Sequence, residues 1–163
     1  MKKSSNLTLS EHLSAKGTRI GLEAADRDEA LLLLAREAEA AGLVPDHRSF
    51  LENLKVREAE MSTGVGHGFA VPHAEVAGAK RTFVLGATLA RPIEYQSLDQ
   101  APVEVMFLIG GKPGEVGLHL QLLARIARLA RAPEFKARLR DQKRAEDLIA
   151  VIHSAEKSLY AEV

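Results

Sequence analysis

The chain has no cysteine, which excludes disulfide staples, thiol nucleophiles and cysteine-ligated metal sites. It has no net charge either: 22 lysines and arginines balance 22 aspartates and glutamates. A neutral chain has no general electrostatic reason to bind nucleic acid or an anionic membrane. Long apolar runs are also missing. The stretch Ala30 to Ala35 is typical of the longest, whereas a membrane-spanning helix needs about 20 such residues. At the start, Lys2 and Lys3 lead into Ser4, Ser5 and Asn6 rather than an apolar stretch, so no secretory signal is expected there. Together these absences predict a cytoplasmic protein with no direct membrane insertion and no nucleic-acid partner. The scarcity of aromatics decides how the one basic stretch is read. Between Arg125 and Arg144 cations far outnumber Glu134 and Asp141, yet Phe135 is the sole aromatic. A solvated helical face with helix-end cations accounts for this better than a nucleic-acid surface, which would bring stacking side chains.

The chain has 163 residues, a length that fits one domain able to bury a real core. One domain over residues 1–163 is expected, with its core about 7–158 and its first few residues frayed. Leu9 to Leu13 allows one helical turn and Thr18 to Leu22 a short strand. Asp26 resembles a helix N-cap, with Glu29 three residues on to complete a capping box. The alanine- and leucine-rich run that follows is a helix closed by Gly42. A second helix is expected from near Asp46 to about Glu58, with Phe50, Leu54 and Arg57 on its inner face. Thr82 to Leu89 and Val103 to Ile109 are short apolar runs bounded by glycine and proline, hence buried strands. Gly110 to Gly114 is expected to be a loop. Helices follow from about Gly117 to Arg131, after Pro133, and from about Arg144 to Ser158. Strands interleaved with helices on this scale predict an α/β protein: one three-layer α/β/α domain with a mixed sheet flanked by helices.

The segment from Arg57 to His73 is of a different kind. Gly64, Gly66 and Gly68 alternate, and such spacing can let backbone amides form a concave anion-binding nest. Ser62 and Thr63 would add hydroxyl donors, so Ser62, Thr63, Gly64, Gly66 and Gly68 are candidate phosphate ligands. Pro72 stiffens the backbone beside His73. The bland alternative is a glycine-rich turn that happens to end in histidine. His119 is the second signal. It begins a helix on a face continued by Leu123, Ile126 and Ala130, so its ring points inward, near a helix N-terminus that disfavours imidazolium and welcomes an anion. The bland alternative there is a helix-start histidine bonded to a carbonyl.

These residues resemble the fructose–mannitol type of enzyme IIA of the bacterial phosphoenolpyruvate-dependent sugar phosphotransferase system, a family that includes the nitrogen-regulatory branch. The resemblance rests on the Arg57-Glu58 pair, the spaced glycines and the terminal Pro72-His73. The Asp26 helix, the Ser97-Leu98-Asp99 turn before the Val103 strand, and His119-Leu120-Gln121-Leu122-Leu123 extend it over nearly the whole chain. It implies that His73 accepts a phosphoryl group from phospho-HPr, or a nitrogen-branch counterpart, and passes it to an enzyme IIB component. It also implies that His119 is a second active-site histidine, that Arg57 lies near the phosphate, and that no cofactor or metal is required. Phe69 stands where the family usually has an aliphatic residue, a difference that bears on packing. His67 occupies a variable position. Histidine suits a carrier because neutral imidazole is nucleophilic near neutral pH and leaves readily when the group moves on.

Two alternatives remain open on the sequence. The same site could serve a nitrogen-branch regulator that acts by phosphorylation-dependent binding to target proteins. Alternatively, His67, His73, Glu75 and His119 could ligate the metal of a hydrolase.

Overall fold

The computed structural model describes residues 7–160; the expected fraying of the first few residues lies outside the described residues. A 3-10 turn, Ser10–His12, is followed by β1 (Arg19–Leu22), α1 (Arg27–Ala40) and α2 (His47–Glu60). Three very short strands come next: β2 (Gly64–Gly66), β3 (Phe69–Ala70) and β4 (His73–Glu75). Two long strands, β5 (Phe83–Ile93) and β6 (Val103–Gly111), precede α3 (Val116–Ala130), α4 (Phe135–Arg140) and α5 (Ala145–Tyr160).

The helix starts follow their capping residues. The Asp26 carboxylate accepts the Glu29 amide at 2.9 Å, and Asp46 accepts the Arg48 amide at 3.1 Å, each satisfying a donor the helix leaves free. The capping box is closed one residue early, because the Glu29 carboxylate takes the amide of Ala25 at 2.7 Å. Gly42, at φ +79°, follows α1 in the left-handed conformation that suits glycine.

The sheet is mixed, as expected. Its strand order is β1-β5-β6-β3-β2, with β4 also paired to β6. β5 and β6 are antiparallel, while β1 runs parallel to β5. β3 and β4 lie one after the other along the same edge of β6, both parallel to it. Side chains alternate across the pleat, so β6 feeds two cores. Met106 and Leu108 join Phe83, Leu85, Phe50, Leu54 and the inner face of α1. Val105, Phe107 and Ile109 join Leu122, Ile126, Leu139, Leu148 and Ile152 of the other three helices. This is the three-layer α/β/α arrangement. Phe69 is absorbed on the second side, stacked 6.2 Å from Phe107 and 5.9 Å from Phe135, geometry that adds to simple burial.

Two expectations are corrected. Gly110 and Gly111 are not loop residues; they complete β6, where Gly110 pairs with both Phe83 and Ala74. Glycine is needed there for close approach, since a Cβ on Gly110 would fall 2.2 Å from the Phe83 ring. The glycine-rich segment is not an open nest. β2 and β3 form a hairpin turned by His67 and Gly68, both at positive φ (59° and 83°). Two consecutive residues of that kind make the tight turn whose twist matches a hairpin.

Candidate functional site

His73 opens β4, opposite Ile109 of β6. The backbone before it is fully used. The Val71 N–H donates to the Thr63 carbonyl at 2.9 Å, and the Pro72 carbonyl accepts the Ile109 N–H at 2.9 Å. Pro72 has no N–H to satisfy, which fits the gap between β3 and β4. The Val71 carbonyl, turned the other way, lies 2.7 Å from Nδ1 of His73. A carbonyl can only accept, so Nδ1 carries the proton and Nε2 carries the lone pair. The Arg57 Nε–H donates to that Nε2 at 3.2 Å. Both contacts therefore select the same tautomer. Burial pushes the His73 pKa below the ordinary histidine value, and the Arg57 charge pushes it the same way; the Val71 carbonyl and Glu58 oppose them. The ring is held neutral, with one nitrogen anchored and the other presented.

His119 comes from the opposite helical layer. Its side chain is buried, and its ring stands at 90° to that of His73 with centroids 5.2 Å apart. Burial is the main cause of its lowered pKa, with His73 a secondary one. Gly111 makes this approach possible: a Cβ there would lie 2.8 Å from Nδ1 of His119. His119 is the fourth residue of α3, and its amide already bonds the Glu115 carbonyl at 3.0 Å. Leu122, Ile126 and Leu129 continue the buried face below it.

Arg57 reaches the site from the last turn of α2, where its guanidinium also donates to the Met61 carbonyl at 3.4 Å. An open cleft of about 380 Å³ collects the three predicted residues Arg57, His73 and His119. Asn53, Val56 and Glu60 of α2 and Ala74 and Glu75 of β4 complete its lining. The sequence reading missed these, apart from Glu75, which it named only as a metal ligand. Helical spacing from Arg57 would have found Asn53 and Glu60, because positions three and four apart share a face. Asn53 additionally donates to the Glu75 carbonyl at 2.9 Å, tying α2 to β4.

The other candidates lie elsewhere. Ser62, Thr63, Gly64, Gly66 and Gly68 do not line the cleft. Ser62 donates to the Tyr95 carbonyl at 3.3 Å. Thr63 is turned into the protein, its amide and hydroxyl donating to Glu58 at 2.8 and 2.7 Å. Gly64 lies against Ser97, Gly66 against Asp99, and Gly68 against Lys136 and Glu104. The hairpin uses these glycines to pass close to neighbouring side chains. The metal-ligand set is not assembled either. His67 sits on the hairpin turn, its amide bonded to Asp99 at 3.0 Å. Among the described residues, three metal-ligand side chains converge only at Glu39, Asp46 and His47, where Glu39 and Asp46 already accept backbone amides at the start of α2.

The sequence profile of the family described as "Phosphoenolpyruvate-dependent sugar phosphotransferase system, EIIA 2" matches residues 11–155. A nitrogen regulatory protein of Bradyrhizobium diazoefficiens is 38% identical over 120 residues, covering 74% of this chain and 77% of that protein. The crystal structure of nitrogen regulatory protein IIA-Ntr from Neisseria meningitidis superposes with a TM-score of 0.82 at 24% identity, over 88% of this chain and 97% of that one. The Escherichia coli mannitol enzyme IIA, solved in complex with phosphorylated enzyme IIB, gives 0.72 at 16% identity, over 86% and 96%. These two likenesses show the shared fold.

Proposed function

This chain belongs to the EIIA type 2 family of the phosphoenolpyruvate-dependent sugar phosphotransferase system, and from that we propose that His73 is its phosphoryl acceptor and that Nε2 is the reacting atom. The observation that carries this is the tautomer: Nδ1–H bonded to the Val71 carbonyl and a lone pair on Nε2, facing the cleft beside Arg57. In the forward step the Nε2 lone pair attacks the phosphorus of a donor phosphohistidine. The new P–Nε2 bond forms as the donor P–N bond breaks, and its electron pair returns to the donor imidazole. The proton stays on Nδ1, donated to the Val71 carbonyl, and that acceptor favours the positive charge the ring acquires.

Such a transition state is loose, with charge spread over the equatorial oxygens, so the protein's part is placement and charge. Arg57 supplies a planar, always-charged donor. It must slide from Nε2 to the phosphoryl oxygens as the bond forms, which its place at the open rim of the cleft allows. His119 supplies a rigid flank. Arg57 and His119 share the hold on the group without trapping it, as a carrier requires. The donor is phospho-HPr or a nitrogen-branch counterpart, the acceptor an enzyme IIB component, and the setting the cytoplasm. Residues 1–163 form one functional unit in this reading.

The test is to incubate the protein with phosphoenolpyruvate, enzyme I and HPr and to map acid-labile phosphate. Label is expected on His73 and absent from a folded His73→Ala variant. Full labelling of that variant would overturn the assignment. A second reading is favoured by the 38% identity to a nitrogen regulatory protein: the same phosphorylation would control binding to a target. Labelled protein that fails to pass its phosphate to any enzyme IIB domain, yet binds a target according to its phosphorylation state, would select it.

A further inference from the structure

We infer that Glu58 is a positioning residue, which acts through Thr63 and Val71 to fix the tautomer of His73. The inference rests on the reading of His73 as phosphoryl acceptor and concerns how its reactive nitrogen is selected.

Glu58 adjoins Arg57 in α2 but points away from the cleft. Its side chain is almost fully buried, an unusual state for a carboxylate. A buried charge is costly unless it is paired and hydrogen-bonded. Glu58 meets that demand with Thr63, just beyond the end of α2, and with Tyr95 and Arg27 from more distant parts of the chain. The Thr63 N–H donates to one carboxylate oxygen at 2.8 Å and the Thr63 hydroxyl to the other at 2.7 Å. The buried Tyr95 hydroxyl donates at 3.4 Å, and Arg27 lies 3.9 Å away. The two short bonds clamp Thr63 in place.

Thr63 is also the residue whose carbonyl accepts the Val71 N–H at 2.9 Å, and the Val71 carbonyl is the one that meets Nδ1 of His73 at 2.7 Å. The Val71 carbonyl lies between two held peptide units, since Thr63 fixes the Val71 N–H and the Ile109 N–H fixes the Pro72 carbonyl at 2.9 Å; with each unit planar, its direction is constrained from both sides. The path therefore runs from a buried carboxylate, through Thr63 and Val71, to the proton on Nδ1. It leaves Nε2 as the free nitrogen. A helix-end glutamate needed only for stability would have no reason to lock the strand that delivers the acceptor histidine.

The test compares wild type with Glu58→Gln, Glu58→Ala and Thr63→Val, each first checked for folding by circular dichroism and thermal unfolding. The primary readout is the imidazole nitrogen spectrum of His73 in uniformly 15N-labelled protein, which distinguishes the two tautomers without any phosphoryl donor. Wild type is expected to show Nδ1 protonated. Glu58→Ala is expected to show a mixture of tautomers and labelling by phospho-HPr at least tenfold slower. Glu58→Gln retains a carbonyl for the Thr63 amide and is expected to recover the wild-type spectrum and most of the rate. Thr63→Val keeps its amide and should shift the spectrum less than Glu58→Ala. Should Glu58→Ala fail to fold, the Gln and Val variants carry the test through the order of their spectra. An unchanged His73 spectrum in every folded variant would overturn the inference, whatever happens to stability. Wild-type protein that shows the expected tautomer but takes no label would instead overturn the assignment of His73 as acceptor.

Discussion

Gly111→Ala is a perturbation of one methyl group that tests the placement of His119. Gly111 sits at the end of β6 in ordinary extended backbone, so alanine meets no conformational penalty there. Its new Cβ would lie 2.8 Å from Nδ1 of His119 and 3.6 Å from Cγ of Glu75. The second contact is comfortable, but the first is not. To reach ordinary contact the ring must retreat by about 0.6 Å. Misplacement of a reacting group by about 1 Å can cost around 100-fold in rate, so roughly tenfold slower transfer is expected. The overpacking should cost about 1–3 kcal/mol of stability. Complete removal of the ring, His119→Ala, loses one supporting donor. By analogy with oxyanion-hole deletions that is worth about 2.7–4 kcal/mol, or about 100- to 1000-fold. His73 should still be labelled in that variant, and His119→Gln, which keeps an N–H, should be less damaged. The double variant Gly111→Ala/His119→Ala decides the matter. With the ring gone, the new methyl group has room, so the double variant should react no more slowly than His119→Ala alone and should regain the stability lost to crowding. Rapid-quench labelling by phospho-HPr and urea unfolding of the four proteins complete the cycle. Wild-type rates for Gly111→Ala, or simple additivity of the two changes, would refute the reasoning; label on His119 itself would reverse the roles of the two histidines.

Arg57→Lys keeps a charge but loses the planar fork and the Nε–H aimed at Nε2 of His73; single-turnover labelling is expected to slow at least tenfold with stability changed by less than about 1 kcal/mol, and a wild-type rate would reduce Arg57 to a helix-end cation. The two histidines also predict a pH dependence. Their pKa values are lowered by folding, so between the lowered values and about 6.5 the unfolded chain binds protons that the native state does not. Their contribution to stability is therefore full above about pH 6.5 and is lost as the pH falls below it. The midpoint of the His73 titration by NMR should lie below 6.5, and the urea midpoint of wild type should fall faster on acidification than that of the double variant His73→Ala/His119→Ala; a His73 midpoint at or above 6.5 would contradict the burial argument.

Sequence alone went furthest where local rules act. Asp26 and Asp46 marked helix starts because an N-cap carboxylate serves the next few amides of its own chain. Phe50 and Leu54 fell at helical spacing, and the apolar run Val103 to Ile109 was recognisable as a strand buried on both faces. The Arg57 to His73 motif and the position of His119 identified the family and the residues that meet in the cleft. The glycines misled for a physical reason. Positive φ and close approach are both demands that only glycine meets, but they arise equally in an exposed anion nest, in a tight hairpin turn and in a strand crossed by a bulky ring. Gly68 serves the second demand and Gly110 the third, and the neighbours that decide between them, Lys136 and Phe83, are remote in sequence.

Chain order likewise gave no hint that part of the basic stretch from Arg125 is paired with acids from elsewhere. Arg125 meets Glu156, and Lys136 and Arg140 both meet Glu104. The same holds for the site itself. The sequence determined which groups were available: an arginine at a helix end, a histidine after a proline, a histidine early in a later helix. The tertiary structure decided their chemical state. The tautomer of His73 depends on a carbonyl held by Thr63 and Glu58. The neutrality of both rings depends on burial between two layers that no local pattern records. Proton position and pKa respond to whatever lies within a few ångströms, and those neighbours are set by how β4 and α3 are brought together across β6.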